Sequence, residues 1–401
     1  MDFHLTEEER ALKQEYDDFF REEMKNAPPV ILKGGLAAQY SKEGYPFNRY
    51  MRKKMVEKGW YVQHWPKEYG GRDASLMEQM IFNESMAYYG APGIDLQAVK
   101  MFGPSLLLYG TEEQKKRLVI PIAKGEVQYA QGWTEPNSGS DLASLKTTAI
   151  RDGEYYAVNG QKTWITAAHI ADHMFLLART NPVEKRSRGL SVFHVDLSLP
   201  GIEIRPIRFM NNTEFYGEVF FNDCRIHESD RIGPENEGWR QTLDTMNFER
   251  SGVDGIAHIR RSFEPVLDYV KTAKRNGRYL AEDPLVRQKL GRIYAEMEAG
   301  RALAYRTAWL QQKGNLRFSP AAASEVKILR TEIMQRLADF AIEIMGFPGN
   351  LEDPNLAPLN GSMIESYQSI IGSIICAGSN EIQRNIIAWV GCGLPRLKGE
   401  K

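Results

Sequence analysis

The apolar positions along the chain change their period twice. Between Thr6 and about Lys124, apolar residues recur at three- and four-residue spacing, which is typical of amphipathic helices. Thr6 and Glu9 have the spacing of a capping box, so the first helix is expected to begin there. The pattern therefore predicts an N-terminal helical domain over residues 1–126.

Between about Val127 and Ile232 the period becomes two, which is typical of strands with one buried face. Asp152-Gly153 and Asn159-Gly160 are dipeptides that favour tight hairpin turns. The predicted strands are 149–151, 154–158, 162–166, 174–178, 191–195, 202–207 and 218–221. We therefore expect a central antiparallel β-barrel domain over residues 127–235.

From Gly238 onward the helical period returns and persists. The predicted long helices, separated by Gly, Pro and Asn residues, are 241–274, 284–313, 321–345 and 367–391. This is the pattern of a four-helix bundle, which we place over residues 236–401. The expected fold class is α+β, with the β domain between two helical domains.

Composition and charge exclude several classes of function. Lys and Arg number 51 against 52 Asp and Glu, so the formal charge is −1 and no attraction to nucleic acid is expected. Apolar runs are too short to span a bilayer, so no membrane insertion is expected. The three cysteines are too scattered for a disulfide framework and fit a reducing, cytoplasmic location. The histidines do not cluster, so no metal site is expected.

Two stretches have unusual chemistry. WTEPNSGSD (133–141) is a segment of small and hydroxyl residues whose backbone N–H groups could face an anion or a polarised ring carbonyl; a capped turn before a strand fits it equally well. NGQKTWIT (159–166) places Trp164 and Thr166 two residues apart on one strand, although Trp164 could instead pack in the core. No glycine-rich dinucleotide motif, P-loop or zinc-protease motif accompanies them.

Together these stretches resemble the TEPxxGSD and NGxKxWIT motifs of acyl-CoA dehydrogenases. AGSNEIQRNIIA (377–388) is similar to the GTSEIQRxIIA motif of the same family. The motifs occur in the family's order and spacing, and the helical–β–helical organisation matches over essentially the whole chain. The resemblance implies an FAD enzyme that dehydrogenates an acyl-CoA and passes electrons to an electron-transfer flavoprotein or a similar acceptor. It also implies a homotetramer, and a mixed tetramer is an alternative.

The resemblance also implies which residues form the site. The FAD-binding set is Gln131, Trp133, Thr134, Gly139, Ser140, Trp164, Thr166, Arg275, Ser379, Asn380 and Glu381. Within it, Trp164 would shield one flavin face, Thr166 would hydrogen-bond near flavin N5, and residues 379–381 would reach the adenosine or pyrophosphate. The substrate-binding set is Ser140, Asn247, Arg250, Ala377 and Gly378.

The resemblance further implies that Arg275 and the stretch EIMGFPG (343–349) contact the FAD of a neighbouring subunit. Glu343 stands where the family usually has Gln, and Phe347 replaces a glycine. The usual R-x-x-F-G stretch is Arg275-Asn276-Gly277-Arg278 in this chain. The flavin-ring site is therefore better supported than the inter-subunit site.

The reaction of the family removes a proton next to a thioester carbonyl, so a carboxylate must lie in a site that excludes water. Many members have a Glu immediately before GTS, but this chain has Ala377. Either the chain is a base-deficient partner subunit, or another carboxylate replaces that Glu. Glu249 is our candidate, because NFER (247–250) is similar to the LER stretch of isovaleryl-CoA and long-chain acyl-CoA dehydrogenases. Asp95 is a second candidate, although a carboxylate at a helix N-terminus is the simpler interpretation.

Two questions stay open at this point. The same fold could serve an oxygen-using acyl-CoA oxidase or monooxygenase, but the chain is short for an oxidase with an appended domain. Gly252 and Gly255 follow Glu249 in the predicted helix, where they either allow close helix packing or leave room beside the α carbon. Together with Ala377, the second interpretation predicts a branched, cyclic or otherwise bulky acyl group.

Overall fold

The computed structural model describes residues 4–35, 37–184, 186–248, 252–314 and 319–396. These residues form two compact units. The first unit comprises Met1–Ala38, Ser75–Pro92 and Arg250–Lys401, and the second comprises Gln39–Ala74 and Gly93–Glu249. The predicted base Glu249 and the predicted substrate residue Arg250 lie outside the described residues.

The helices follow one another from the N-terminal segment to the end of the described chain. They are α1 (Glu7–Glu23), α2 (Pro29–Lys33), α3 (Tyr45–Glu57), α4 (Leu76–Tyr89), α5 (Gly103–Tyr109), α6 (Glu112–Gln114), α7 (Ile120–Ala123), α8 (Gly238–Phe248), α9 (Val253–Thr272), α10 (Pro284–Gln312), α11 (Ser319–Met345), α12 (Ser362–Ile375) and α13 (Asn380–Ile386). No helix in the described part of the chain is long and apolar enough to cross a membrane.

The strands lie between α7 and α8, apart from one short hairpin between α9 and α10. They are β1 (Tyr129–Gly132), β2 (Thr148–Asp152), β3 (Tyr155–Thr166), β4 (His173–Arg179), β5 (Leu190–Asp196), β6 (Ile202–Ile207), β7 (Tyr216–His227), β8 (Arg231–Ile232), β9 (Lys274–Arg275) and β10 (Arg278–Tyr279).

The first helix begins as its sequence predicts. The hydroxyl oxygen of Thr6 accepts from the Glu9 backbone N–H at 3.2 Å, and the Glu9 carboxylate accepts from the Thr6 N–H at 2.8 Å. This capping box satisfies two N–H groups that have no partner inside the helix. Its apolar face then packs Tyr16 and Phe20 onto Phe82 of α4, with ring centroids 5.2 and 5.6 Å apart.

The core of the first unit lies between α9, α10, α11 and α12, as the bundle pattern predicts. Its buried side chains include Ile256, Phe263, Val266, Leu290, Met297, Ile333, Leu337, Ala341, Met363 and Ile370. Outside this core, the Arg301 guanidinium of α10 contacts the Glu84 carboxylate of α4 at 2.5 Å. That half-buried ion pair ties the N-terminal helix α4 to the bundle.

Two of the predicted long helices are interrupted, which corrects the sequence prediction. Gly252 has φ +69°, so it precedes α9 in a left-handed conformation and does not lie inside a helix. The predicted terminal helix breaks between α12 and α13, where Ala377 and Gly378 have φ of +52° and +78°. A residue at positive φ cannot continue a right-handed helix, and apolar periodicity does not detect a single such residue.

The sheet of the second unit has the strand order β6-β7-β3-β2-β4-β5-β8, and β1 pairs with β4. The expected closed barrel is not confirmed, because β6 and β8 end this order and do not pair with each other among the described strands. Most neighbouring strands of this sheet are antiparallel, as expected, but β1 and β2 each run parallel to β4. Alternation of apolar and polar residues indicates where the strands lie, but it does not specify which strands become neighbours in the sheet.

One predicted turn is a bulge. The Asp152-Gly153 turn joins β2 to β3 as expected, with Gly153 at φ +63°. Asn159-Gly160 instead lies within β3, where the register with β7 shifts. The Asn159 amide donates to the Asp223 carboxylate of β7 at 2.8 Å, and this long-range contact keeps the strand extended. A side chain at Gly160 would collide with Thr147, so the bulge needs glycine.

Candidate active site

The WTEPNSGSD segment forms a tight loop after β1. The Ser138 N–H donates to the Glu135 carbonyl at 3.0 Å, and the Glu135 N–H donates back to the Ser138 carbonyl at 3.3 Å. Gly139 and Ser140 lie beyond this turn and are exposed. A methyl group added at Gly139 would meet no atom within 4 Å, so the loop presents an open backbone surface there.

Trp164 is exposed near the end of β3. Its side chain is 52% exposed, and its φ is +58°, within a bulge between Lys162 and Ile165. Its indole ring makes a T-shaped contact with Tyr216, at 5.9 Å between centroids. The exposure excludes the core-packing interpretation and leaves the indole accessible to a ligand. Thr166 ends the same strand, paired with Tyr216 and half-buried.

The loop and the Trp164 strand are held together by direct bonds. The Thr163 N–H donates to the Thr134 carbonyl at 2.9 Å. The Lys162 ammonium donates to the Trp133 carbonyl at 3.1 Å and to the Glu135 carboxylate at 2.9 Å. The structure thus brings the two sequence motifs together, as the resemblance implies.

The Lys162–Glu135 pair is buried, and sequence reasoning missed it. Lys162 is 0% exposed and Glu135 is 7% exposed. Burial lowers the pKa of Lys162 to about 8, although Glu135 opposes that shift. Burial alone would raise the pKa of Glu135, but Lys162 and the N–H groups of Lys146 and Thr147 outweigh it and lower that pKa. A lysine inside an otherwise core-forming strand was the available signal.

Gln131 and Trp133 lie two residues apart along β1 and its continuation. Gln131 is half-buried and Trp133 is buried against Phe175, with ring centroids 5.4 Å apart. The Trp133 indole N–H is buried and has no hydrogen-bond partner among the described residues. A buried donor without a partner is costly, so this group is suited to a ligand that brings an acceptor.

In the first unit, the predicted substrate residues Ala377 and Gly378 form the loop between α12 and α13. The buried Gln383 side chain donates to both of their carbonyls, at 3.0 and 3.2 Å. The Ser379 hydroxyl accepts from the Ile382 N–H at 3.4 Å and thereby caps α13. The Ala377 methyl group can accept no proton.

Asn380 and Glu381 border a surface cavity of about 450 Å³. The wall opposite them is formed by α11, and Ile374 and Ile375 of α12 supply an apolar side. Asn380 itself is buried, and its amide oxygen accepts from the Lys327 ammonium at 2.8 Å. Glu381 is the exposed residue of this pair and is therefore the one available to a ligand.

Arg275 has a structural partner within its own chain. It donates to the carbonyls of Glu343 and Ile344 at 3.2 and 2.9 Å, so its positive charge lies at the C-terminal end of α11. The Glu343 carboxylate pairs with Lys289 at 2.6 Å, and Phe347 is 80% exposed. The surface that would meet a neighbouring FAD thus contains a carboxylate and an exposed ring.

Comparison with known protein families decides the identity of this arrangement. The N-terminal, middle and C-terminal domains of acyl-CoA dehydrogenase match residues 6–126, 130–224 and 236–390. The chain belongs to the acyl-CoA dehydrogenase family. It is therefore an oxidoreductase that acts on acyl-CoA, and its cofactor is FAD.

Similar proteins cover almost the entire chain of this acyl-CoA dehydrogenase. Acyl-CoA dehydrogenase IpdE1 of Mycolicibacterium smegmatis is 35% identical over 385 residues, 92% of this chain and 94% of the relative. The ChsE4–ChsE5 complex of Mycobacterium tuberculosis contains a chain with 31% identity and a TM-score of 0.87, covering 99% of this chain and 100% of that one. The Tcur3481–Tcur3483 steroid acyl-CoA dehydrogenase gives 30% identity, a TM-score of 0.88 and the same coverage.

The residues of the second unit fit a flavin ring. An exposed indole at Trp164 offers a flat face, and the buried indole N–H of Trp133 has no acceptor among the described residues. The open backbone at Gly139 leaves room for a large planar group. These features agree with an FAD-dependent acyl-CoA dehydrogenase.

Asp95 has a structural role in this acyl-CoA dehydrogenase. It is fully buried, and its two carboxylate oxygens accept from the Ala98 N–H at 3.1 Å and the Tyr129 N–H at 2.8 Å. Burial raises its pKa. The helix-cap interpretation is therefore correct, and both oxygens are already engaged. Asn247 lies in α8, next to the residues outside the described part.

Proposed function

We propose that this acyl-CoA dehydrogenase oxidises a bulky acyl-CoA thioester and that Glu249 is its base. The observation that carries the proposal is Ala377, whose methyl group occupies the place where many relatives carry the proton acceptor. The nearest acidic residue along that loop, Glu381, already lies in the first turn of α13 beside Arg384. Glu249 is the carboxylate that the resemblance offers instead.

In the proposed reaction the substrate loses a proton from its α carbon and a hydride from its β carbon, and it leaves as the enoyl-CoA. FAD, when bound, supplies the hydride acceptor. Glu249 takes the α proton. Trp164 would cover one face of the flavin ring, Thr166 would hydrogen-bond beside it, and Gly139 and Ser140 would orient the thioester arm.

Two features support a bulky acyl group. A protein of 30% identity over almost the entire chain, Tcur3481–Tcur3483, is a steroid acyl-CoA dehydrogenase. The small Ala377 side chain leaves space where relatives have a glutamate. Gly252 and Gly255 do not add to this support, because methyl groups there would meet Val326 and Arg330 at 2.6 Å. Their packing against α11 explains them without a substrate.

The test is anaerobic bleaching of the flavin by a panel of acyl-CoAs, in wild type and in Glu249→Gln. The variant keeps a side chain of nearly the same shape but removes the proton acceptor. We expect it to retain FAD and bind acyl-CoA while flavin reduction falls by about 10²–10⁴-fold or more. Glu264→Gln is the matched control, since Glu264 is a residue of α9 whose carboxylate accepts from the Tyr88 hydroxyl at 2.9 Å.

The panel decides the substrate class. Polycyclic and branched thioesters should bleach the flavin faster than straight-chain thioesters of equal carbon number. Faster bleaching by butyryl-CoA would contradict the bulky-substrate proposal. Near-normal reduction in Glu249→Gln would place the base on another chain. Reoxidation by oxygen as fast as by an electron-transfer flavoprotein would favour an oxidase.

We also infer that the chain assembles with a sister chain and not only with itself. Glu343, which pairs with Lys289, would bring a carboxylate to the phosphates of a neighbour's FAD at the position where relatives have a neutral glutamine. The similar ChsE4–ChsE5 structure is a complex of two different chains. FAD content and mass of the chain purified alone test this inference: a homotetramer with four tightly bound FAD molecules would contradict it.

A further inference from the structure

We propose that Lys162 is a positioning residue for the flavin ring: it holds the Trp133 carbonyl and, through Glu135, fixes the WTEPNSGSD loop to the strand that bears Trp164. The inference rests on the proposed placement of FAD at Trp164. It concerns a residue that would not itself touch the cofactor.

The contacts of the Lys162 ammonium carry the argument. It reaches across from β3 to two groups of the loop, the Trp133 carbonyl at 3.1 Å and the Glu135 carboxylate at 2.9 Å. The same carboxylate accepts from the N–H groups of Lys146 and Thr147 at 2.7 and 2.8 Å. Lys162 and Glu135 therefore join β3, the loop and the segment leading into β2 at one buried point.

The position of this junction gives it a bearing on the flavin. Trp164 follows Lys162 by two residues and has a left-handed backbone, which needs support from its surroundings. Trp133, whose carbonyl Lys162 holds, carries the unpartnered indole N–H. Movement of Lys162 would thus displace both a proposed ring platform and a proposed donor.

A buried ion pair is an expensive way to stabilise a fold, because apolar replacements are often as stable. A role in stability alone is therefore a weak explanation of the pair. A role in geometry explains why a fully buried ammonium takes a backbone carbonyl as its second partner. The two explanations predict different behaviour of the flavin.

The first test is Lys162→Met, with the FAD dissociation constant and the absorption spectrum and reduction potential of bound flavin as readouts. We expect the dissociation constant to rise at least roughly tenfold and the spectrum and potential to shift. Arg301→Met is the matched control, because it breaks the half-buried ion pair with Glu84 in the first unit. It should lower the melting temperature while changing the FAD dissociation constant less than about twofold.

The double variant Lys162→Met/Glu135→Gln separates geometry from charge balance. It removes both charges but leaves the Trp133 carbonyl without its donor, so FAD binding should stay weak. Recovery of wild-type affinity and spectrum in the double variant would overturn the inference. If Lys162→Met left the FAD dissociation constant, spectrum and potential unchanged, the positioning role of Lys162 would be wrong, while the flavin placement at Trp164 would still stand. A wild-type protein without FAD would overturn the flavin placement and this inference together.

A measurement on the wild type serves if the variants do not fold. The charged group that faces Lys162 is the Glu135 carboxylate, which also interacts electrostatically with Arg179 of β4. Because burial lowers the pKa of Lys162 to about 8, the ammonium loses its proton over a pH range centred near that value. The FAD dissociation constant should rise between about pH 7 and pH 9. A constant value over this range would count against the inference.

Discussion

Adding one methyl group at Gly252 and, separately, at Gly255 distinguishes close packing from space for a substrate. At Gly252 the backbone has φ +69°, and the new methyl carbon would lie 2.6 Å from a Val326 methyl group. Val326 is fully buried, so it has little freedom to retreat. At Gly255 the new carbon would lie 2.6 Å from Arg330 Cδ, which belongs to a long, flexible side chain.

These geometries predict effects of very different size. An L-residue held in the left-handed region costs about 1–2 kcal/mol. Forcing a methyl group into a packed core costs about 1–3 kcal/mol more. Gly252→Ala should therefore reduce the free energy of unfolding by roughly 2–5 kcal/mol. Gly255→Ala gains about 1 kcal/mol of helix propensity, which offsets the movement of Arg330, so its net effect should stay within about 1 kcal/mol.

Urea unfolding followed by circular dichroism, with melting temperatures as a second measure, compares the two variants directly. Both proteins should keep the wild-type ranking of acyl-CoA substrates, because neither methyl group enters a substrate cavity in our interpretation. Equal stability of Gly252→Ala and wild type would refute the packing argument. A stable Gly252→Ala protein that loses only bulky substrates would restore the interpretation of these glycines as room for the acyl group.

Two further predictions concern charged side chains of the first unit. Burial alone would raise the pKa of Glu84, but the contacts with Arg301 and Tyr305 outweigh burial and lower that pKa. The ion pair therefore stabilises the fold above the pKa that Glu84 has in the unfolded chain, and this stabilisation is lost as the pH falls through the pKa of the folded protein. Glu84→Gln should reduce the free energy of unfolding by roughly 1–3 kcal/mol at pH 7. The difference in melting temperature between the variant and the wild type should become smaller as the pH is lowered toward 4. An unchanged difference would show that the ion pair is not the cause. Arg275→Ala frees two carbonyls at the exposed end of α11 and should cost under about 1 kcal/mol, measured by thermal unfolding. A large loss of FAD from the assembled protein in that variant would instead indicate contact with a neighbour's cofactor.

Sequence patterns predict the elements of this fold better than their connections. Strand β6 lies at Ile202–Ile207, the predicted range, and Gly153 makes the predicted turn. Both features depend on neighbours in sequence. The bulge at Asn159 depends instead on Asp223, which lies 64 residues further along the chain, so no local pattern contains it. The break at Gly252 depends on one backbone angle within an otherwise helical pattern.

The same division applies to the site. The motifs identify Trp164 and the WTEPNSGSD loop, and the structure joins them. The same motifs include Glu135, Lys162 and Gln383, but they do not show what these residues contact. The Lys162–Glu135 contact forms only when the loop folds over β3, and Gln383 reaches the Ala377 carbonyl only because the loop returns toward α13.

Two segments, one in each unit, share a physical arrangement. Trp164 and Ala377 are non-glycine residues with φ of +58° and +52°, a conformation that costs about 1–3 kcal/mol each. In each case a buried side chain donates to nearby carbonyls: Lys162 to that of Trp133, and Gln383 to those of Ala377 and Gly378. A hydrogen bond from a buried charged donor contributes about 1.5–3 kcal/mol and one from a neutral donor about 1 kcal/mol, so these bonds are of the size needed to offset the strain. Removing either donor should therefore relax the backbone it supports, which makes Lys162 and Gln383 determinants of site geometry even though neither would contact the substrate.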